Sequence, residues 1–316
     1  MTEEISIPTH FHEKRYNSLN NHLRVLFGEK VFKIALDGGF DCPNRDGTAG
    51  RGGCVFCSPR GSGDFAGGRA ETLEEQFEEI RKRMHTKWKS GKYIGYFQAF
   101  SNTHAPVDEL RFQHEQILAF PDVVGVSIAT RPDCLPGDVM DYLSNLNKRT
   151  YLWVELGLQT VHNRTANAIN RCYDMDCYVN AVSELRGRGI QICTHIIDGL
   201  PGEGREMMVE TARQAAQHGV QGIKIHLLHL LKGTPLIDLY EKNALQLLEK
   251  DEYVNIVCDQ LEVLPPDMVI HRLTGDGPPD SLIGPMWSLK KWEVLNAIDR
   301  ELEIRSSFQG KLVAPS

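Results

Sequence analysis

The chain alternates short runs rich in β-branched and aromatic residues with longer stretches of helical spacing. Six runs predict strands: Val31–Leu36, Tyr93–Phe100, Val123–Ala129, Tyr151–Gly157, Ile190–Ile197 and Gly222–Leu228. Between them, Thr72-Leu-Glu-Glu75 is a capping-box pattern that opens a helix toward His85. Val107–Phe120, Pro136–Asn147, Cys177–Arg188 and Arg205–His218 also read as helices. Strands alternating with helices predict parallel βαβ units. Six such units are too few for a closed eight-stranded barrel and suit an α/β fold, an open, partial (βα)6 TIM-like barrel. Beyond Leu228 the pattern changes. Leu236–Lys250 and Glu252–Leu264 read as helices, Pro265-Pro266 breaks the chain, Met268–Leu273 fits a further strand, and Ser288–Arg300 a closing helix. The expected division is an N-terminal extension over 1–30, a barrel over 31–235, and a helical extension over 236–316 packed on it.

A barrel of this kind collects its chemistry at the C-terminal ends of its strands. Each predicted strand turns polar or glycine-rich there. The first runs into Asp37-Gly38-Gly39, the second into Gln98-Ala-Phe-Ser-Asn102-Thr103, and the third into Thr130-Arg131-Pro132-Asp133. The fourth contains Glu155 and reaches Gln159. The fifth carries His195 and Asp198, and the sixth His226 and His229. A lone strand histidine is usually a satisfied core residue. Glu155 is sharper, because a carboxylate within Tyr-Leu-Trp-Val-Glu-Leu-Gly-Leu is expected to be buried and to need a partner. A structural salt bridge to Arg131 or Arg171 is the alternative to a functional role.

Three cysteines, Cys42, Cys54 and Cys57, sit on a glycine-rich loop after the first strand. A closed structural zinc site takes four protein ligands. A fourth would have to come from far away, for example from Cys134 or a histidine. A [4Fe–4S] cluster held by three cysteines leaves one iron open to a small molecule. The remaining Cys134, Cys172, Cys177, Cys193 and Cys258 read as packing residues, with a second cluster at Cys172/Cys177 as the alternative.

The composition, 41% hydrophobic and 24% charged over 316 residues, is that of an ordinary globular protein. No run approaches a membrane span and the start lacks a signal-peptide core, so the expectation is a cytoplasmic protein with no membrane partner. A net charge of −7 argues against indiscriminate nucleic-acid binding. Locally, Lys14, Arg15, Arg24, Lys30 and Lys33 face one acid, Glu29, which fits either a solvated helix or a phosphate-binding patch. Arg45, Arg51, Arg60 and Arg69 decorate the cysteine loop.

These residues together resemble the radical S-adenosylmethionine (SAM) enzymes. The usual signature there is Cys-x3-Cys-x2-Cys with an aromatic before the third cysteine, a position Phe56 fills. Here eleven residues separate Cys42 from Cys54. A long first gap is similar to the subgroup that includes the catalytic subunit of Elongator. Thr130-Arg-Pro-Asp133, Val154-Glu-Leu-Gly-Leu-Gln-Thr160 and Gly199-Leu-Pro-Gly202 also resemble it, as does Asn170-Arg171 before a helix, although Cys172-Tyr173 stands where that pattern has Gly-His. Too few residues follow the barrel for Elongator's acetyltransferase domain, so the chain looks most like the compact YhcC/YtqA-type bacterial group. The resemblance covers most of residues 20–275.

The resemblance implies that Cys42, Cys54 and Cys57 hold a [4Fe–4S] cluster whose open iron is chelated by SAM. Reductive cleavage of SAM then gives a 5′-deoxyadenosyl radical, with a flavodoxin or ferredoxin as electron donor. It implies Gln98, Ser101 and Asn102 at the methionine end of SAM; Thr130, Glu155 and Gln159 near its ribose or sulfonium; Phe56, His195, Asp198 and Leu228 near its adenosyl group; and Arg171 on its carboxylate. Glu155, Arg131 and His195 are the catalytic candidates. The implied substrate is the wobble uridine in a tRNA anticodon loop, with 5-carboxymethylaminomethyluridine converted to 5-aminomethyluridine. The N-terminal basic segment and His271-Arg272 are candidates for tRNA contact. Other classes remain: a radical SAM enzyme on a small molecule or protein, or a non-enzymatic zinc or iron–sulfur protein.

Overall fold

The computed structural model describes residues 6–314; the first five residues of the N-terminal extension lie outside it. Its strands are β1 (Val31–Leu36), β2 (Lys92–Phe97), β3 (Val123–Thr130), β4 (Tyr151–Gln159), β5 (Gln191–Asp198), β6 (Gly222–Leu227), β7 (Leu230–Leu231), β8 (Val269–Arg272) and β9 (Leu282–Gly284). Its helices are α1 (Leu19–Phe27), α2 (Pro43–Asp46), α3 (Leu73–His85), α4 (Val107–Leu118), α5 (Gly137–Asn147), α6 (Asn163–Ala168), α7 (Met175–Gly187), α8 (Arg205–Gln217), α9 (Leu236–Glu241), α10 (Lys250–Val263) and α11 (Lys291–Ile304). Strands β1 to β6 and then β8 form one parallel sheet in that order, and β7 pairs antiparallel with β9. The sheet is a curled half-barrel, the expected partial TIM-like architecture.

Successive side chains of a strand point to opposite faces, and here the two faces differ in chemistry. Ile34, Leu36, Val126, Ile128, Val154, Leu156, Ile192, Ile196, Ile223 and Ile225 are fully buried in the core. The alternate positions carry Lys33, Ser127, Glu155, His195, Lys224 and His226. Thr194, in phase with the apolar set, bonds the Tyr178 hydroxyl of α7. The apolar set therefore faces the helices and the polar set the barrel interior. Thr72 and Glu75 form the expected capping box at α3.

Three expectations change. The half-barrel has a seventh strand, β8, drawn from the segment assigned to the C-terminal extension. The strand expected over Met268–Leu273 forms, and what changes is its place, because it pairs with β6 inside the barrel sheet. The helix expected over 236–250 stops at Glu241, because Asn243 takes a left-handed conformation (φ 55°) and the chain turns on Asn243 N–H to the Tyr240 carbonyl and Ala244 N–H to that of Leu239. The basic N-terminal segment is not a phosphate patch beside the site. Leu19, Leu23 and Phe27 of α1 pack on Val31, Ile94, Val124 and Tyr151, the first residues or near-first residues of β1 to β4. That is the end of the barrel away from the polar strand ends. Three of its five cations are also engaged: Lys14 pairs with Asp299 at 2.5 Å, Arg15 donates to the Ser307 carbonyl, and Lys33 enters the barrel to pair with Glu155. Just before α1, Ser18 bridges to Ile270, whose N–H bonds the Asn17 carbonyl.

Candidate active site

The cysteine loop folds over the C-terminal mouth of the half-barrel. Cys42 caps α2, and the chain then doubles back through left-handed Gly53 (φ +79°), where any Cβ would lie 2.9 Å from Arg45 Nε. Asn170 fastens the loop by donating to the carbonyls of Arg51 and Gly53, and its own carbonyl accepts from Asn44 Nδ2 at 2.6 Å. Asn44 Nδ2 also reaches Cys54 Sγ at 3.6 Å. Arg45 ties down the carbonyls of Cys57 and Ser58.

All three cysteines are free thiols lining one cavity. Burial, with the nearby thiols of Cys57 and Cys42 adding to it, pushes the Cys54 thiol up to about 12. Burial also pushes Cys57 up. Crowded thiols that resist deprotonation become thiolates readily only against a metal. A single tetrahedral zinc would draw its sulfurs to about 3.8 Å from one another, from a Zn–S bond near 2.3 Å. Among the described residues only Glu155, Cys193 and His195 bring three possible donors within 4.8 Å of one another; the cysteines do not. A cubane cluster spreads its thiolates over separate irons and does not need the close gathering that one zinc ion requires.

The strand ends complete the cavity. Phe56, Gln98, Ser101, Thr130, Arg131, Glu155, Gln159, His195 and Leu228 line it with the cysteines. Ser101 Oγ is buried without a partner, a polar atom free for a ligand. Gln98 donates to the Ser62 carbonyl, Thr130 shares a 2.6 Å hydroxyl bond with Thr103, and Gln159 Oε1 accepts from the Tyr173 hydroxyl. Arg131 forms a bidentate pair with Asp133 at 2.8 and 2.6 Å and donates to the Arg171 carbonyl.

Three expected SAM contacts lie elsewhere. Arg171 does not line the cavity: it is fully buried and donates to the carbonyls of Leu158, Thr160 and Tyr173, bracing the end of β4. Asn102 is buried and donates to the Phe97 and Ala129 carbonyls, locking β2 to β3. Asp198 is buried against α10, where Gln260 Nε2 donates to it at 2.7 Å. Burial pushes Asp198 up to about 7. The unfolded value is about 3.9, so the folded state holds the proton more tightly. This contribution to stability is complete below about pH 4 and is lost as pH rises toward 7. Asp198→Asn, which keeps an acceptor for Gln260 and cannot ionise, is expected to melt above wild type at pH 7 and beyond, the gap closing toward pH 4. Thermal melts across that range check it.

Glu155 sits on the cavity floor, wholly buried, with both oxygens taken. Oε1 accepts from Lys33 and from Ser127 (2.5 Å), Oε2 from His195 Nε2 (2.7 Å) and Lys224 (2.5 Å). The salt bridge expected to Arg131 or Arg171 is instead made to Lys33 and Lys224, on β1 and β6, because only side chains on the inner face of the barrel can reach it. Burial works against the carboxylate, but the two ammonium groups outweigh it and hold Glu155 well below its ordinary range. Burial and Lys224 push His195 down to about 4, and burial pushes Lys224 down to about 8. The neutral imidazole of His195 donates to Glu155. Two ammonium groups already hold the carboxylate of Glu155, so Glu155 belongs to an ion-pair network with Lys33 and Lys224, and Glu155, Cys193 and His195 are not a metal seat.

The cavity also holds Tyr96, Tyr173, His226, His229, Arg272 and Asp276, none of them expected as a SAM contact or catalytic group. Lys33 and Lys224 carried the signal that marked Glu155, a charge inside an apolar strand. An unpaired buried acid calls for a base on another strand, and these two were the candidates.

A family model described as the Radical SAM superfamily matches residues 46–215, and one described as the Radical_SAM C-terminal domain matches 220–304. The first match begins beyond Cys42, at the long gap. The chain is 67% identical to the protein YtqA of Bacillus subtilis (strain 168) over 299 residues, covering 95% of this chain and 93% of that one. It is 36% identical to Protein YhcC of Escherichia coli (strain K12) over 291 residues, with 92% and 93% covered. In structure it is similar to the archaeal Methanocaldococcus infernus Elp3, with a TM-score of 0.64 at 14% identity, over 88% of this chain and 64% of that one, a likeness of fold. No helix among the described residues is long and apolar enough to cross a membrane. The chain belongs to the radical SAM superfamily, enzymes that use a [4Fe–4S] cluster and S-adenosylmethionine.

Proposed function

We propose that this enzyme modifies the wobble uridine of tRNA, converting 5-carboxymethylaminomethyluridine to 5-aminomethyluridine. The observation that carries the reading is the single cavity lined by three free thiols, the polar strand ends and the unpartnered Ser101 hydroxyl. Cys42, Cys54 and Cys57 would hold the cluster, and Gln98, Ser101, Thr130 and Gln159 would orient SAM beside it. When bound, these cofactors would supply a 5′-deoxyadenosyl radical to take a hydrogen from the methylene between the amine and the carboxylate; with a second electron given back to the cluster, the substrate becomes an imine that water hydrolyses to the aminomethyl nucleoside and glyoxylate. The residues of the chain hold the reactants together and keep water out: Phe56 and Leu228 present apolar surface, and the cysteine loop covers the mouth. Glu155 and His195 are placed to set the polarity of the floor beneath the reacting groups. The Elongator-like pattern of cysteine gap, Thr-Arg-Pro-Asp and Gly-Leu-Pro-Gly supports the tRNA substrate. We assign the enzyme to the cytoplasm, where tRNA and a flavodoxin or ferredoxin donor are both at hand. Residues 31–235 would carry the cofactors, with β8 and the segment after it finishing the wall.

The test is anaerobic reconstitution with iron, sulfide, SAM, dithionite and total tRNA from a deletion strain, read by nucleoside mass spectrometry. The expected result is loss of the carboxymethylaminomethyl nucleoside with matching gain of the aminomethyl one. Formation of 5′-deoxyadenosine with no change in any tRNA nucleoside would leave the reaction class standing and overturn the substrate.

A further inference from the structure

One stretch of the cavity wall carries polar groups to which the reading above gives no role. It is built from the end of β6 and the loop after β8, and presents His226, His229, Arg272, Gly275 and Asp276. We infer that Arg272, His226 and His229 form a subsite for a carboxylate carried by the substituent on which the enzyme acts. This rests on the wobble-uridine reading above and names the residues that would recognise its carboxymethyl group.

The guanidinium of Arg272 has only a loose partner among the described residues. Its nearest acid oxygen, on Asp276, is 3.8 Å away, and Lys291 holds that same oxygen at 2.7 Å. Lys291 thus occupies the one acid that could neutralise Arg272. A free guanidinium fork matches a carboxylate in two parallel hydrogen bonds. The Nε2 atoms of His226 and His229 are shielded from solvent and unpartnered. A neutral imidazole with its proton on Nε2 donates to an anion there. The two rings flank Gly275, where a Cβ would stand 3.1 Å from His229 and 3.8 Å from His226 Nδ1, so glycine lets both imidazoles approach the wall. Beneath them, Lys33 and Lys224 face the single carboxylate of Glu155, an excess of positive charge that favours an anionic guest. His195, 5.2 Å from His226 between ring centres, joins this wall to the floor.

The test compares Arg272→Gln, Arg272→Lys and Lys291→Gln with wild type on two tRNA preparations, one bearing the carboxymethylaminomethyl wobble uridine and one the aminomethyl product. Wild type is expected to bind the carboxylated tRNA more tightly than the product. Arg272→Gln should weaken binding of the carboxylated tRNA by about ten- to a hundredfold, the range for a hydrogen bond between charged groups, and leave the product tRNA unaffected. Arg272→Lys should fall between. Lys291→Gln, outside the cavity, should release Asp276 toward Arg272 and weaken the carboxylated tRNA alone. Equal weakening of both tRNAs would mean a backbone-phosphate contact and overturn the carboxylate subsite. Unchanged discrimination in Arg272→Gln would overturn it as well. If wild type converts no tRNA nucleoside, the wobble-uridine reading falls and this inference falls with it.

Discussion

Cys54→Ala is expected to leave the reconstituted chain without cluster iron and unable to form 5′-deoxyadenosine, a complete loss and not a graded one. In the proposed site three thiols would serve three irons, and among the described residues no fourth cysteine lines the cavity to stand in. The same outcome is expected at Cys42 and Cys57. Iron and sulfide analysis reads the cluster, and chromatography of the SAM cleavage products reads the chemistry. The control is Cys172→Ser with Cys177→Ser. Cys172 is exposed, its thiol directed at the Asn170 carbonyl and side-chain oxygen, and Cys177 lies in the first turn of α7. That double variant should keep its full iron. Loss of iron there, with retention in Cys54→Ala, would overturn the cluster assignment.

The second large effect is on stability. Glu155→Gln strands the buried ammonium of Lys224 and the half-buried one of Lys33 and is expected to cost about 3–5 kcal/mol, the range for removing one partner of a buried ion pair. At roughly 2–4 °C per kcal/mol in a large domain, the melting temperature should fall by about 6–20 °C. The deficit has a pH signature. Without the carboxylate, Lys224 stays neutral when folded but protonates when unfolded, near pH 10.4. Stability of the variant therefore rises with pH up to that value; the gap to wild type narrows only up to about pH 8, where wild-type Lys224 also gives up its proton in the folded state, and is constant beyond it. Removing all three charges, in Glu155→Leu with Lys33→Met and Lys224→Met, should recover most of the loss, as apolar replacements of buried ion pairs do. This triple variant separates structure from chemistry. Recovered stability with normal SAM cleavage would make Glu155 a structural residue and sink its assignment to the SAM site; recovered stability without cleavage would support a role for the polar floor.

The half-barrel and the cysteine loop were legible because each leaves a local mark. Period-two apolar runs ending in polar residues mark strands whose ends form a rim, and three cysteines on a glycine-rich loop mark a metal. What stayed hidden depended on where side chains point once the sheet curls. Asp198 and Asn102 are strand-end polar residues like Ser101 and Gln98, yet one turns to α10 and the other to its own backbone. Arg171 reads as a free cation and serves as a brace for carbonyls. The partners of Glu155 come from strands 122 and 69 residues away, a distance no periodicity spans. The strand β8 was legible over Met268–Leu273, but its seat in the barrel was not, because that rests on pairing with β6, far back in the sequence.

An open parallel sheet has an unpaired row of backbone groups at each margin, and such rows invite a strand from another molecule. Neither margin of this half-barrel is left bare. At β8, Ile270 gives its N–H to Asn17 and bridges Ser18. At β1, the Ala35 carbonyl accepts from Gly67 in the segment that follows the cysteine loop. The segment entering α1 and the loop leading into α3 thus act as stoppers against ladder growth between chains. A fold that must stay open at its mouth to admit its reactants is in this way kept from polymerising along its flanks.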